Sequence, residues 1–457
     1  MQLILSIQPD NAAWDELHVP FGDPGSMALS GAEGVHAALA RVSDDTLHLQ
    51  LSVDVAQPVA ALRWNIDRVV RRVRQAFDLR GATASVRIAP GVPADAAAAV
   101  RLDVARAFGP DAVADDPALA EIEAAERTFR ARVNEDPRTC TSLSLAAEVE
   151  DFCRNHTGPG RLTCDILDQQ RLVDEGLNLL LAVGQASTTS PPRLVTATWT
   201  PDGAGAERAP WMLLGKGITF DTGGINVKPY ESFVSHMRND MAGAALAIAL
   251  FRSLVAANYP RPLVLSVPTC ENAVGENAMR PGTVVATRRG PSVKIDHTDA
   301  EGRLILADGL TWCEERYAPE RTFCLATLTT AALTAYGPFA TPIHFAEGDV
   351  ATALMIASEK TGDDIHLLPR RPWHFEANRD SEADLRNTAR LGGAMPMAAG
   401  SRNAAHFLLH FAKAPLVHAD ILGSTWNWGD TYPGAGFGAT GAPYRLLLET
   451  FWRLADV

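Results

Sequence analysis

Seven residues in two short segments hold most of the chemistry this 457-residue chain offers. In HTDAEGRL, residues 297 to 304, Asp299, Glu301 and Arg303 alternate just ahead of an apolar run. In GKGITFDTGGINVKP, residues 215 to 229, Lys216, Asp221 and Lys228 stand among glycines, and Asp240 follows at the mouth of DMAGAALAIAL. If the first segment is extended, alternate side chains point to one side and the three head groups converge on a small volume. Two carboxylates held together raise each other's pKa and repel unless a cation lies between them. Asp221, Asp240, Asp299 and Glu301 supply four hard oxygen ligands, enough for two divalent cations if one or two carboxylates bridge.

The elements around these residues suit a site. The pair Gly223 and Gly224 follows the apolar strand-like WMLL, where glycine lets the backbone turn sharply and approach a ligand closely. The carboxyl end of a strand is where open α/β sheets keep their ligands. On these residues alone other readings stay open. FDTGG loosely resembles the phosphate loops of sugar kinases, although no Walker pattern is present. Taken singly, Asp299, Glu301 and Arg303 could be a solvated turn before a helix N-terminus, where acids are favourable. Asp240 alone could be an N-cap, and either lysine an ordinary surface residue.

Composition narrows the partners. A formal charge of −13 and an isoelectric point near 5.4 argue against a surface made for nucleic acid or anionic lipid. The opening MQLILSIQPDNAAWDEL lacks a basic leader and a small-residue cleavage site, so it reads as a first strand. No stretch approaches the ~20 uninterrupted apolar residues of a membrane span. Six scattered cysteines with no C-x-x-C pair look like reduced thiols of a cytosolic protein.

Strand-like pieces (QLILSI, LHLQLSV, ASVRIA) and a helical stretch from Ala60 to Leu79 predict a small α/β domain over residues 1–125. The charged helical segment PALAEIEAAERTFRARVNE connects it to a larger domain over residues 126–457. There, strand-like runs (PRLVTATW, WMLLGKG, PLVLSVPT, TVVAT, TFCLATL, DVATALMIA) alternate with helix-like ones at Met241 to Ala257 and Leu304 to Glu315. That alternation predicts a central mixed, mostly parallel sheet flanked by helices.

Together GKGITFDTGG, Lys228, Asp240 and TDAEGRL resemble the leucine aminopeptidase family of dinuclear metallo-exopeptidases. VNEDP, LLAVGQAS, ENAMRPGTVV, ATLT, ADLRN, HADILGSTW and GATGAPYRLL match the same family in order, so the resemblance covers nearly all of the chain after residue ~125. It implies that Asp221 and Glu301 bridge two metal ions, that Asp299 completes the more labile site, and that Lys216 and Asp240 complete the tighter one. The ions would be Zn²⁺ or Mn²⁺, with Mg²⁺ or Co²⁺ as further candidates at the labile site. As a ligand Lys216 must be neutral, which two adjacent dications and desolvation can provide. Lys228 would steady the oxyanion, and Arg303 would hold a bicarbonate that relays protons.

The implied activity is release of N-terminal amino acids from peptides with a free N-terminus, by a cytoplasmic homohexamer. A non-catalytic oligomeric scaffold that keeps the metal site is the alternative. Met237, Thr327 and Thr330 fall at substrate-binding positions of the family. Thr330 stands where glycine is common and should narrow or polarise that pocket. His297 replaces the usual asparagine, and its ring is expected to hydrogen-bond behind the metal ligands. Twelve histidines show no H-E-x-x-H or other zinc-ligand spacing.

Overall fold

The computed structural model describes residues 2–9, 26–29, 35–43, 46–53, 59–61, 63, 83–88 and 92–455, apart from 109, 204–206, 392–394, 397–398 and 429–436. Most of the helix expected between Ala60 and Leu79 lies outside the described residues. The chain forms two compact units, one of residues 1–128, 354–364 and 427–440, the other of residues 129–353, 365–426 and 441–457.

The smaller unit holds strands β1 (Gln2–Pro9), β2 (Ser26–Leu29), β3 (Val35–Ser43), β4 (Thr46–Val53) and β5 (Thr83–Ile88), in the order β2-β3-β4-β1-β5. β1 runs parallel to both β4 and β5. Helix α1 (Ala94–Phe108) follows, and the unit boundary falls inside α2 (Pro117–Asn134), the expected connector. Arg63 ties the later segment into this unit, reaching Asp103 Oδ2 at 2.7 Å and Asp363 Oδ1 at 3.1 Å.

The larger unit is built on a sheet of nine strands among the described residues. They are β6 (Arg161–Leu167), β7 (Arg193–Thr200), β8 (Trp211–Gly215), β9 (Gly217–Asp221), β10 (Leu263–Asn272), β11 (Arg321–Ala326), β12 (Ala340–His344), β13 (Asp364–Leu368) and β14 (Leu416–Asp420). Their order is β13-β12-β14-β11-β8-β10-β7-β6, with β9 beside β10. The centre is parallel: β10 with β8 and β9, and β11 with β8 and β14. β7 and β12 join it antiparallel. All of β8 is buried and β10 nearly so, which is why they read as continuous apolar runs rather than alternating ones.

Helices α3 (Ala242–Ala256) and α4 (Gly302–Tyr317) pack on this sheet. The run Tyr230–Ala256 is long and apolar enough to cross a membrane, but 83% of its most apolar window is buried inside the protein. It is a core helix. Helix α5 (Thr330–Tyr336) follows β11. One expectation fails at DVATALMIA, which lies in α6 (Gly348–Thr361) and not in a strand. Val350, Ala353, Leu354 and Ala357 are buried while Met355 and Ile356 are exposed, an i, i+3, i+4, i+7 pattern that a reading for unbroken apolar character overlooks. The last helix needed here is α7 (Gly400–Leu409).

His344 and His418 are register partners on β12 and β14, and both are fully buried. Burial pushes His418 down to about 3 and His344 well below its usual value. An unfolded histidine titrates near 6.5, so between pH 6.5 and about 3 the unfolded chain binds protons that the folded chain refuses. The stability from neutral His418 is present above about pH 6.5 and is lost as pH falls through that window. Denaturant unfolding at pH 7.5 and pH 5 should show a loss of about 2 kcal/mol from this residue. His418→Leu should reduce the acid sensitivity by about that amount, whereas an unchanged pH dependence would remove His418 from the account.

Candidate active site

The site lies at the carboxyl ends of the parallel strands. Lys216 sits between β8 and β9, its N–H donating to Leu325 O at 3.0 Å and its carbonyl accepting from Ala244 N at 2.8 Å. Asp221 ends β9, Asn272 ends β10, Thr327 follows β11 and Asp420 ends β14. Parallel strands of one sheet finish on the same side, so side chains far apart in sequence arrive in one place.

TDAEGRL does not reach the site as an extended strand. Ala300 N donates to His297 O at 3.2 Å, and Glu301 has helical backbone angles (φ −79°, ψ −35°) as the cap of α4. Asp299 and Glu301 therefore converge through a turn followed by a helix start. Arg303, in the first turn of α4, bonds neither acid: its Nη1 donates to Asn387 O at 2.7 Å. A Cβ on Gly302 would lie 2.5 Å from Lys216 Cε, so a larger residue there would displace the lysine from its bonds to Asp240 and Thr327.

The charges form two linked groups. Lys216 Nζ is 2.8 Å from Asp240 Oδ1, 3.0 Å from Glu301 Oε1 and 2.9 Å from Thr327 O. Lys228 Nζ is 2.9 Å from Asp221 Oδ2 and 2.5 Å from Asp299 Oδ1. Asp221, Asp240 and Glu301 are buried, with one oxygen of each within 4.8 Å of the others. Burial and the neighbouring carboxylates push Asp240 well up, and the same causes lift Asp299 to about 8. Burial also works against Glu301, but Lys216 and Lys228 hold it below the usual range. The neighbouring acids favour the charged form of Lys216 here. Burial lowers its pKa, yet Asp240, Glu301 and Asp221 outweigh that and raise it. The neutral amine implied by the resemblance thus needs additional positive charge beside it.

The remaining expected residues border one cavity of about 750 Å³, lined also by all seven charged residues. Met237 is buried in its wall and Thr330 stands exposed at the start of α5. Thr327 lines it too, but its hydroxyl is turned to Asp240, donating to Oδ1 at 2.9 Å. The ring of His297 accepts from Asp299 N through Nδ1 at 3.2 Å, the supporting contact expected of it, and burial lowers its pKa. His236 rests against Phe233 and Trp426 and is not among the cavity's lining residues.

Three supporting residues were not singled out from sequence. Asn272 Nδ2 donates to Asp221 Oδ1 at 2.8 Å and to Thr298 O at 3.1 Å. Asn387 Oδ1 accepts from Asp296 N at 2.7 Å, and its Nδ2 donates to His297 O at 2.7 Å, bracing the turn that carries Asp299. Asp420 accepts from Thr329 Oγ1 at 2.7 Å and Ser401 Oγ at 3.0 Å. Asn387 lies in the quoted ADLRN and Asp420 in HADILGSTW, so motif membership was the available signal.

Divalent cations fit this donor set. Four carboxylates face two ammonium groups, which leaves two negative charges in excess when all are ionised. Asp240 Oδ2 and Glu301 Oε2 are buried with no hydrogen-bond donor, and such oxygens are costly unless something positive reaches them. The set is all oxygen apart from Lys216, which suits hard divalent ions.

Comparison with known proteins agrees with this geometry. The model of the cytosol aminopeptidase family, catalytic domain, matches residues 127–448. A probable cytosol aminopeptidase of Xylella fastidiosa strain 9a5c is 37% identical over 322 residues, 70% of this chain and 61% of that protein. One from Dechloromonas aromatica is 36% identical over 339 residues, 74% of this chain and 63% of its own length. The chain thus spans about three-fifths of the length of these curated relatives. Among solved structures, the bottromycin maturation enzyme BotP in complex with Mn superposes with a TM-score of 0.79 at 26% identity, covering 100% of this chain and 99% of that one. The cytosol aminopeptidase from Coxiella burnetii shares the fold, with a TM-score of 0.77 at 24% identity over 98% of this chain and 96% of its own. With a catalytic-domain match that begins inside α2 and takes in the whole of the central sheet, the chain belongs to the cytosol aminopeptidase family.

Proposed function

We propose that the protein is a metal-dependent aminopeptidase that releases N-terminal amino acids from peptides. The observation that carries this reading is the buried trio Asp221, Asp240 and Glu301, with its unpartnered oxygens, opening onto a cavity large enough for a residue side chain. Asp221 and Glu301 would be shared between two ions, with Lys216 and Asp240 on the tighter side and Asp299 on the more labile side. Bound there, divalent cations supply Lewis acidity for the scissile carbonyl and a water whose pKa is lowered towards ~7.

The chain's own residues do the rest. Lys216 is buried at 3% exposure and is suited to holding, whereas Lys228 at 12% reaches the cavity. Lys228 therefore carries the fixed charge that steadies an oxyanion, a group whose stabilisation is a large part of amide hydrolysis. Arg303 gives one donor to Asn387 and keeps Nε buried without an acceptor. A small anion such as bicarbonate bound to it would supply a proton relay. Exclusion of internal peptide bonds follows if the free α-amine is one of the groups the site recognises. The same reading includes a homohexamer and a cytoplasmic location, supported by the family and by six cysteines that are all free thiols.

Exhaustive chelation should abolish hydrolysis of aminoacyl amides, and Mn²⁺ or Zn²⁺ should restore it. Unchanged turnover after metal removal verified by elemental analysis, or none with metal replete, would contradict the proposal. Lys228→Ala should lower kcat by about 10²–10³-fold while metal content stays the same. An undiminished kcat in that variant would favour a scaffold that merely retains the metal site.

A further inference from the structure

We propose that Arg402 makes the side pocket of this site selective for an acidic N-terminal residue, aspartate or glutamate. This rests on the aminopeptidase reading and adds to it the class of side chain accepted. Arg402 is in the first turn of α7, half-buried, and lines the same cavity as the metal-binding carboxylates. Its backbone carbonyl accepts from His406 Nδ1 at 2.7 Å. Its guanidinium has no carboxylate partner among the described residues. A half-buried cation left unpaired on a substrate cavity is costly unless the substrate completes it.

The surroundings point the same way. Asp420, bonded by the neighbouring Ser401, is already satisfied: it accepts from Thr329 Oγ1 at 2.7 Å, Ser401 Oγ at 3.0 Å and Leu328 N at 3.1 Å. The histidines that sense Arg402 are His344 and His406, both held neutral by burial. On the facing wall the start of α7 abuts the start of α5, since a Cβ on Gly400 would lie 3.0 Å from Ala331 Cβ. Thr330 and Thr334 line the cavity from α5. Thr334 Oγ1 donates back to Thr330 O at 2.9 Å, while the Thr330 hydroxyl has no partner among the described residues and is free to donate.

Three residues before Thr330, Thr327 bonds Asp240, so this wall runs directly from the metal ligands to Arg402. Around Arg402 the pocket is rich in donors, and the guanidinium has no acid partner among the described residues. A carboxylate fits it through charge-assisted hydrogen bonds. A lysine side chain meets a like charge, and an aliphatic one leaves the guanidinium desolvated without a partner.

The test compares metal-replete wild type with Arg402→Gln on the dipeptide amides Glu-Gly-NH₂, Gln-Gly-NH₂ and Leu-Gly-NH₂, and on the free acid Leu-Gly. Wild type should favour Glu over Gln by about tenfold or more in kcat/KM, and Arg402→Gln should bring the ratio to about one while raising kcat/KM for the Leu amide, which no longer desolvates a guanidinium. Arg402→Lys should restore part of the preference. Calorimetry with free L-glutamate and L-glutamine reads the same pocket without turnover, and tighter L-glutamate binding should disappear in Arg402→Gln. A Glu/Gln ratio that is the same in wild type and Arg402→Gln would overturn the assignment. So would an effect confined to Leu-Gly over its amide, which would assign Arg402 to the peptide's C-terminal carboxylate. If wild type cleaves no peptide yet binds L-glutamate through Arg402, the aminopeptidase reading fails and the pocket's selectivity stands.

Discussion

More negative charge is buried at the carboxyl end of this sheet than the protein's own cations there can neutralise. Asp221, Asp240 and Glu301 crowd together with Asp299 beside them, against Lys216 and Lys228. Two like charges 4.8 Å apart repel by about 3 kcal/mol at an effective dielectric of 20. Several such pairs are comparable to the whole stability of a typical domain. The lysines relieve part of this by pairing with all four acids. The remainder shows as raised pKa values at Asp240 and Asp299 and as carboxylate oxygens without donors. A site that is repulsive by itself is held together by its frame, and its donor set suits divalent cations.

The frame is built for that burden. Asp221, Asp240 and Glu301 are fixed at a strand end or a helix start, and uncharged donors brace two of them, Asn272 and Gly223 N on Asp221 and Thr327 on Asp240, while the His297 ring accepts from Asp299 N. Asn387 sits behind the turn of Asp299 and presents its carbonyl to Arg303, so one residue orients both side chains. Gly302 gives Lys216 the room to lie across the start of α4. Positioned donors of this kind keep a metal site in shape and tune its ligands.

Residue type pointed to the four carboxylates and the family motifs to the two lysines, and the structure brings these six residues together. The buried parallel strands were legible too, as unbroken apolar runs. What could not be read was how the ligands meet. Asp299 and Glu301 look like alternating strand residues, yet a turn and a helix cap bring them in, since Glu301 must begin α4 for Gly302 to face Lys216. DVATALMIA is as apolar as a strand and only its burial periodicity identifies a helix. Asn272, Asn387 and Asp420 act across 51, 90 and 91 residues of sequence, a separation at which no local pattern reports a hydrogen bond. Arg402 carried no signal in sequence, because a single arginine acquires meaning only from the cavity it lines.

The central claim is that this carboxylate cluster exists to hold two divalent cations. Equilibrium dialysis of the purified protein against Mn²⁺, with bound metal counted by elemental analysis, tests it most directly. The account predicts two ions per chain in the wild type, and at most one, weakly held, when the shared ligand Asp221 is changed to asparagine. No bound metal, or the same stoichiometry and affinity in Asp221→Asn, would contradict it.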